Sequence, residues 1–268
     1  GLTESRVISD GEDSCYGPVF SPDGSHLAWS CSDRSSGSFI SLADGDGQDA
    51  EVELDRHAAK TLSWRPDGQA FAFSSPHLHA RFNLYEDVYF HELGTDSAKL
   101  LTQGRRAKDP AFSPDGADLL VVRNSAQDNN LYRMRIDQSL EALSDNTDHT
   151  QYATPRWHPL GHFFAVSTWR DGHRDLWIHS ADGRPYRRIT MDRALDRDPV
   201  FTADGRTLFF SSDRSGIPNI YAFDLETERL WQVTNVLGGA YQPSVRSDLA
   251  VMAFQSYSAN GPDIALMD

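Results

Sequence analysis

The sequence predicts an all-β protein, a six-bladed β-propeller built from four-stranded antiparallel blades. Three observations predict this fold. One short motif recurs six times, each repeat contains four strand-like runs of period 2, and no segment shows a capped helical stripe. The final residues of successive copies of the motif lie 44, 48, 45, 44 and 44 residues apart, so six repeats account for all 268 residues. We therefore expect one domain over residues 1–268.

Each repeat opens on a short strand that contains an aromatic residue and enters a tight turn. Two clear copies are Pro-Val-Phe-Ser-Pro-Asp-Gly, ending at Gly24, and Pro-Ala-Phe-Ser-Pro-Asp-Gly, ending at Gly116. Proline presets φ, aspartate bonds nearby backbone, and glycine adopts the left-handed conformation that closes a hairpin. Three further strands follow, and the fourth ends in Thr or Ser. We expect the recurring aromatic residues to pack between blades: Phe20, Trp64, Phe112, Trp157 and Phe201.

The two ends of the chain indicate how the ring closes. The sixth repeat stops after its third strand, at residues 263–268, and the chain begins with an isolated fourth strand at residues 6–9. We expect residues 6–9 to pair with residues 264–267 and complete the sixth blade. The rival architecture is an open solenoid, which should carry divergent capping repeats at both ends.

Composition narrows the class of partner. The chain has 25 Lys and Arg against 39 Asp and Glu, a net charge of −14, which argues against a nucleic-acid groove. The longest apolar runs are strand-sized, so we expect no membrane span. Because the chain begins with Gly1 rather than Met, we expect a processed or trimmed product.

The sequence contains no Gly-x-Ser-x-Gly, His-Glu-x-x-His or Walker motif, so we predict no catalytic residue, no metal and no cofactor. His77 and His79 could begin a metal site on a strand, but they lie in the longer second repeat, where we expect an exposed loop. Residues 44–47 resemble the start of a calcium loop. Asp49 stands where that loop needs glycine, which favours a hairpin turn.

Two other features are open to more than one interpretation. Asp-Arg pairs recur at one repeat position, at residues 33–34 and 213–214, with the reversed pair at 170–171. They could form a charged rim, but their recurrence favours arginines that pin loops. Cys15 and Cys31 flank one hairpin. If residues whose numbers add up to 46 pair across the hairpin, Cys15 lies opposite Cys31. If Phe20 instead pairs with Leu27, the numbers of paired residues add up to 47 and the two cysteines are not opposite each other. The sequence leaves a disulfide and two buried thiols both open.

The loops that enter the innermost strands should form rings around the mouth of the central channel. Two residues before the leading proline position, one ring contains Tyr16, Lys60, Lys108, Ala153, Arg197 and Tyr241. Three cations and two tyrosines favour docking of an acidic or carboxylate-bearing group, although a solvated rim would use the same residues. The predicted partner-binding residues are therefore Tyr16, Lys60, Arg105, Arg106, Lys108, Arg197 and Tyr241.

Several motifs resemble the repeats of TolB-type propellers. They are the Phe-Ser-Pro-Asp-Gly turn, the Ser-Asp-Arg-Ser-Gly loop at residues 212–216, and the strand Asn-Ile-Tyr that starts at Asn219. The resemblance covers the whole chain. It implies a monomeric, non-catalytic, protein-binding scaffold in the bacterial periplasm or cell envelope. The implied partner is an envelope lipoprotein or outer-membrane protein, not nucleic acid. In the family, a histidine four residues before a leading proline marks the lipoprotein site, and none of the six matching positions here is histidine.

The resemblance also leaves two alternatives. The first is an accessory propeller of a peptidase or hydrolase whose catalytic domain is absent from this chain, since propellers of this type also gate peptidases. Residues 233–243 separately resemble propellers inside longer cell-envelope proteins, which implies an excised domain. The second is a propeller that binds or cleaves a sugar or other small ligand at the channel mouth.

Overall fold

The computed structural model describes residues 2–9, 11–33, 37–55, 57–125, 129–135 and 138–268. These residues form 24 strands in six four-stranded sheets, each with antiparallel neighbours. The predicted six-bladed propeller is confirmed. Within the described ranges, no helix is long and apolar enough to cross a membrane.

The first three blades follow one another along the chain, and each runs from its innermost to its outermost strand. Blade 1 contains β2 (Ser14–Phe20), β3 (His26–Asp33), β4 (Gly37–Asp44) and β5 (Glu51–Asp55). Blade 2 contains β6 (Leu62–Trp64), β7 (Ala70–His79), β8 (Asn83–Glu92) and β9 (Lys99–Leu100). Blade 3 contains β10 (Ala107–Phe112), β11 (Asp118–Asn124), β12 (Asn129–Arg135) and β13 (Leu140–Ala142).

The remaining blades repeat this order, except that the last one takes its outermost strand from the start of the chain. Blade 4 contains β14 (Gln151–Trp157), β15 (Phe163–Arg170), β16 (His173–Ser180) and β17 (Pro185–Arg188). Blade 5 contains β18 (Arg197–Phe201), β19 (Thr207–Ser212), β20 (Asn219–Asp224) and β21 (Leu230–Gln232). Blade 6 contains β22 (Ala240–Val245), β23 (Met252–Ser258), β24 (Gly261–Met267) and β1 (Arg6–Val7).

The N-terminal strand closes the ring. In β1, Arg6 pairs with Leu266 and Val7 with Ala265. The amide of Ile8 then donates to the carbonyl oxygen of Ile264 at 2.9 Å. The predicted pairing of residues 6–9 with the last strand is thereby confirmed.

A hydroxyl group caps the outer strand of five blades in the same way. The hydroxyls of Thr102, Ser144, Thr190 and Thr234 accept hydrogen bonds of 2.8–3.0 Å from third-strand amides. In blade 6, Ser9 accepts from the amide of Ile264 at 3.1 Å and donates to a carboxylate oxygen of Asp263 at 2.7 Å. Ser9 therefore occupies the repeat position of the other hydroxyls, although it comes from the opposite end of the chain.

The Pro-Asp-Gly turns are held by their aspartates, as the sequence predicts. Asp23 accepts hydrogen bonds from the hydroxyl of Ser21 at 2.6 Å and from the amide of Ser25 at 3.1 Å. These hydrogen bonds favour the charged carboxylate and lower the pKa of Asp23 to about 2. Residues 44–47 also form a hairpin turn, because Asp44 accepts from the amides of Asp46 and Gln48.

The recurring aromatic residues pack between neighbouring blades, and that prediction is confirmed. Trp64 of blade 2 packs with Ala28 and Ile40 of blade 1. Phe201 of blade 5 packs with Leu176 of blade 4. The core is therefore a series of interfaces between blades, so each blade depends on both neighbours for burial of its apolar faces.

The predicted loop at His77 and His79 is wrong. Strands β7 and β8 pair without interruption from Ala70 to His79, which lies opposite Asn83. Nδ1 of His77 lies 3.0 Å from the hydroxyl of Tyr89, and the ring of His79 stacks on that of Tyr85. The additional residues of the second repeat thus lengthen a hairpin.

The structure contains a disulfide between Cys15 and Cys31. Cys15 pairs with Cys31, so the numbers of the paired residues add up to 46 at this end of the hairpin. Phe20 pairs with Leu27, which gives a sum of 47 at the other end. The register changes because β2 bulges between Tyr16 and Val19. Both registers considered from the sequence therefore occur in one hairpin. The bulge adds one residue to β2 and allows the change of sum.

Ring closure makes a prediction that separates two neighbouring residues. Ile8 packs against the core between blades 6 and 1, whereas the side chain of Val7 is exposed. We expect Ile8→Asp to lower the free energy of unfolding by about 2 kcal/mol, because a carboxylate would be partly buried without a partner. Val7→Asp, the matched control, should change it by less than about 0.5 kcal/mol. Urea denaturation measures both values, and equal effects would contradict this packing.

The disulfide predicts that the oxidised protein, once unfolded without reductant, shows no free thiol, and that reduction releases two. Cys15 and Cys31 are 16 residues apart. Loss of a crosslink across a loop of this length should lower the free energy of unfolding by about 3 kcal/mol. Thiol titration and urea denaturation, with and without reductant, provide the measurements. Two free thiols before reduction would show that the bond is absent.

Candidate functional site

The channel side of the propeller is shaped by a β-bulge at the start of the innermost strands. In five blades the residue before the leading proline has a left-handed φ of 47–60°, and these residues are Gly17, Asp109, Thr154, Asp198 and Gln242. In blade 2, Leu62 replaces the proline and pairs with Phe73 in an unbroken register. A bulge redirects the side chain of the additional residue. As a result, Gly17, Thr154, Asp198 and Gln242 line a narrow central channel.

Hydrogen bonds join these bulge residues across blade boundaries. The carboxylate of Asp109 accepts from the hydroxyl of Thr61 at 3.3 Å and from the amide of Thr154 at 3.1 Å. On the other side of the channel, the side-chain oxygen of Gln242 accepts from the amide of Gly17 at 2.9 Å. Blades 2, 3 and 4 are thus connected through one carboxylate, and blades 6 and 1 through one amide.

The mouth above this channel opens into a cavity of about 740 Å³, which we call the mouth cavity. Three tyrosines from blades 1 and 6 and two cations from blades 2 and 5 line it. These five residues are Tyr16, Tyr241, Tyr257, Lys60 and Arg197. Tyrosine and arginine are enriched at energetically important positions of protein interfaces, so the lining suits a protein partner.

The structure brings four of the seven predicted site residues into this cavity: Tyr16, Lys60, Arg197 and Tyr241. The other three lie outside its lining and make contacts of their own. The guanidinium of Arg105 donates to the carbonyl oxygen of Gln138 at 2.9 Å. That of Arg106 lies 4.2 Å from the ring centre of Tyr85 and donates to its hydroxyl. Nζ of Lys108 lies 3.9 Å from Oδ2 of Asp109.

Sequence reasoning missed two arginines near the channel. Arg156, on β14, lines the channel one residue after Pro155. Burial lowers its pKa, while the charges of Asp109 and Asp198 oppose that effect. The sequence did offer one signal for Arg156, because it is the single charged residue among the six at this repeat position. The other blades have Val19, Ser63, Ala111, Val200 and Ser244 there.

Arg174 on β16 is the second missed arginine. Burial lowers the pKa of Arg174, and the charge of nearby Arg197 lowers it further, whereas Asp198 and Asp109 act in the opposite direction. Arg174 pairs with Trp169 of β15 and forms an isolated bridge with Leu195, in the loop that enters β18.

The mouth contains cations without a close carboxylate. Lys60 forms an ion pair with Glu86. Within the described ranges, by contrast, no carboxylate oxygen lies within 4.0 Å of a guanidinium nitrogen of Arg156, Arg174 or Arg197. Burial also raises the pKa of Asp198, which accepts from the hydroxyl of Ser211 at 3.0 Å. The channel and mouth therefore form a local positive region on a chain with a net charge of −14.

The Asp-Arg pair of blade 5 has the predicted structural role. Arg214 donates to the buried carboxylate of Asp196 at 2.8 Å and to the hydroxyl of Ser212 at 2.9 Å. These contacts pin the loop that enters β18, so the loop-pinning interpretation is confirmed in this blade. The corresponding Arg34 of blade 1 lies outside the described residues.

Comparison with known proteins relates the C-terminal part of this chain to one family. Residues 140–268 match the family described as the TolB beta propeller domain. The C-terminal part of the chain is therefore similar to TolB-type propeller repeats. A TolB homologue from Chlorobium luteolum is 27% identical over 145 residues, which is 53% of this chain and 32% of the relative. The propeller thus spans about a third of that curated relative.

Solved structures show the same fold. A putative TolB from Agrobacterium tumefaciens superposes with a TM-score of 0.74 and 18% identity, over 98% of this propeller and 92% of that chain. TolB from Acinetobacter baumannii gives a TM-score of 0.68 and 18% identity, over 98% of this chain and 65% of that one. At these identities, the likeness establishes the architecture alone.

Proposed function

We propose that this TolB-like propeller is a non-catalytic scaffold that binds a protein partner at the mouth cavity. The observation that carries the proposal is the lining of that cavity, which combines three tyrosines with Lys60 and Arg197. Aromatic rings supply apolar contact area at low entropic cost, and Arg197, which has no close carboxylate among the described residues, favours an acidic partner segment. Loops held on a rigid scaffold are a common location for binding sites.

The cell envelope is the proposed location, with an envelope lipoprotein or an outer-membrane protein as the partner. Two observations support this. Residues 140–268 match the TolB beta propeller domain, and the resemblance to TolB-type repeats implies a periplasmic or envelope location. In addition, the disulfide between Cys15 and Cys31 would persist in an oxidising compartment such as the periplasm.

The mouth cavity predicts a charge-reversal effect. We expect Arg197→Glu to weaken partner binding about tenfold at low salt, since it replaces an attraction for an acidic segment by a repulsion. The matched control is Arg184→Glu. Arg184 is 85% exposed and follows Ala181, which lies beside a Pro-Asp-Gly turn at the other end of the ring. This variant should bind like wild type.

The measurement has two steps. Wild-type protein first captures its partner from an envelope extract, and titration calorimetry with the purified partner then compares the three proteins at low and high salt. The affinity of wild type should fall as salt rises, because exposed charges are screened. If Arg197→Glu binds the partner as tightly as wild type does at low salt, the mouth cavity is not the binding site.

A further inference from the structure

The channel below the mouth cavity is small and polar. Its solvent-accessible volume is about 40 Å³, and Thr154, Arg156 and Asp198 lie in its wall. One enclosed water needs roughly 10–15 Å³ by this measure, so the channel has room for about three atoms of that size. This matches the three heavy atoms of a carboxylate group.

Two side chains in this wall have unused capacity to donate hydrogen bonds. The hydroxyl oxygen of Thr154 is buried and has no hydrogen-bond partner in the described part of the chain. Arg156 donates one hydrogen bond, from Nη1 to the carbonyl oxygen of Pro155 at 2.9 Å. A guanidinium has five N–H donors, so most of its donor capacity remains available. Both residues belong to β14, whose bulge at Thr154 directs them to the channel.

The charges in the channel wall favour an anionic acceptor. Lys60, Arg156 and Asp198 lie in that wall, and Lys60 is already paired with Glu86. Among the described residues, no carboxylate oxygen lies within 4.0 Å of a guanidinium nitrogen of Arg156. A carboxylate matches the planar fork of a guanidinium, and its three heavy atoms fit the small volume of the channel.

We propose that the channel binds one carboxylate group, held by the hydroxyl of Thr154 and the guanidinium of Arg156, with Arg197 at the rim. The inference rests on the proposed function in one respect, which is that it takes the carboxylate from an acidic side chain of the partner. A free small organic acid presents the same group, and the experiment separates these two sources.

The test is a ligand-observed NMR titration with four probes: acetyl-Ala-Glu-Ala-amide, its Gln counterpart, acetate and inorganic phosphate. We expect the Glu peptide to bind wild type saturably, and the Gln peptide to bind at least tenfold more weakly. Arg156→Gln should weaken binding of the Glu peptide about tenfold or more. Arg184→Gln, a substitution at the other end of the ring, should leave it unchanged. Thr154→Val should also weaken binding, and it provides a second test if Arg156→Gln fails to fold in a thermal unfolding control.

Several results would overturn the inference. They are equal binding of the Glu and Gln peptides, undiminished binding of the Glu peptide to folded Arg156→Gln, or Arg156-dependent binding of phosphate tighter than that of either carboxylate. Acetate binding as tight as the Glu peptide would overturn the partner side chain as the source.

Failure of this inference is distinguishable from failure of the proposed function. If Arg197→Glu weakens the partner while no carboxylate probe binds, the channel site is refuted and the scaffold proposal stands. If the Glu peptide binds through Arg156 while Arg197→Glu leaves the partner unaffected, the carboxylate site in the channel is supported, but the partner side chain is refuted as the source of the carboxylate and the scaffold proposal fails at this cavity.

Discussion

The pairing of β1 with β24 is the constraint on which the rest of the molecule depends. It gives blade 6 its fourth strand and places Ile8 against the core of blade 1. Without that pairing, one edge of β24 would be open, and the apolar flank of blade 1 would lose part of its cover. The mouth cavity spans this seam, because its tyrosines come from blades 1 and 6. Ring closure therefore also assembles the proposed binding site.

The bulges determine what the ring presents at its centre. A proline near the start of an inner strand removes a ladder hydrogen bond, and the left-handed residue before it turns a side chain towards the channel. Blade 2 lacks both features, and its Thr61 instead donates to Asp109 of the next blade. One structural device thus makes the inner strands compatible with the ring and also supplies the polar groups of the channel. Arg156, one residue beyond the bulge of blade 4, is where this device adds a charge.

The fold was predictable because the same pattern of strands, turns and aromatic positions recurs in six repeats. A strand that is ambiguous in one repeat can therefore be assigned from the others. Single positions had no such support. The hairpin ending at His79 resembled a loop, because its polar residues and Pro76 obscure the alternation of a strand. The disulfide stayed open because a bulge supports both candidate registers in one hairpin. Both outcomes depend on local backbone geometry that is specific to one blade and cannot be inferred from the other repeats.

The residues of the mouth cavity, which is the proposed binding site, were predictable in part. Ring position identified Tyr16, Lys60, Arg197 and Tyr241, which line the mouth cavity. It could not show that Arg106 stacks on Tyr85, because the direction of a loop side chain depends on the neighbouring hairpin. Arg174 lies on a third strand, and only the folded structure shows that it bridges to Leu195 in the loop that enters β18.

Residue-resolved hydrogen exchange of the Ile8 amide tests the central claim, ring closure by the N-terminal strand, most directly. This amide donates to the carbonyl oxygen of Ile264 at 2.9 Å. If the strand closes the ring, its exchange should be as slow as that of the β3 amides in blade 1 and should require cooperative opening of the propeller. Rapid exchange of Ile8, at the rate of an exposed chain terminus while the β3 amides stay protected, would contradict the account.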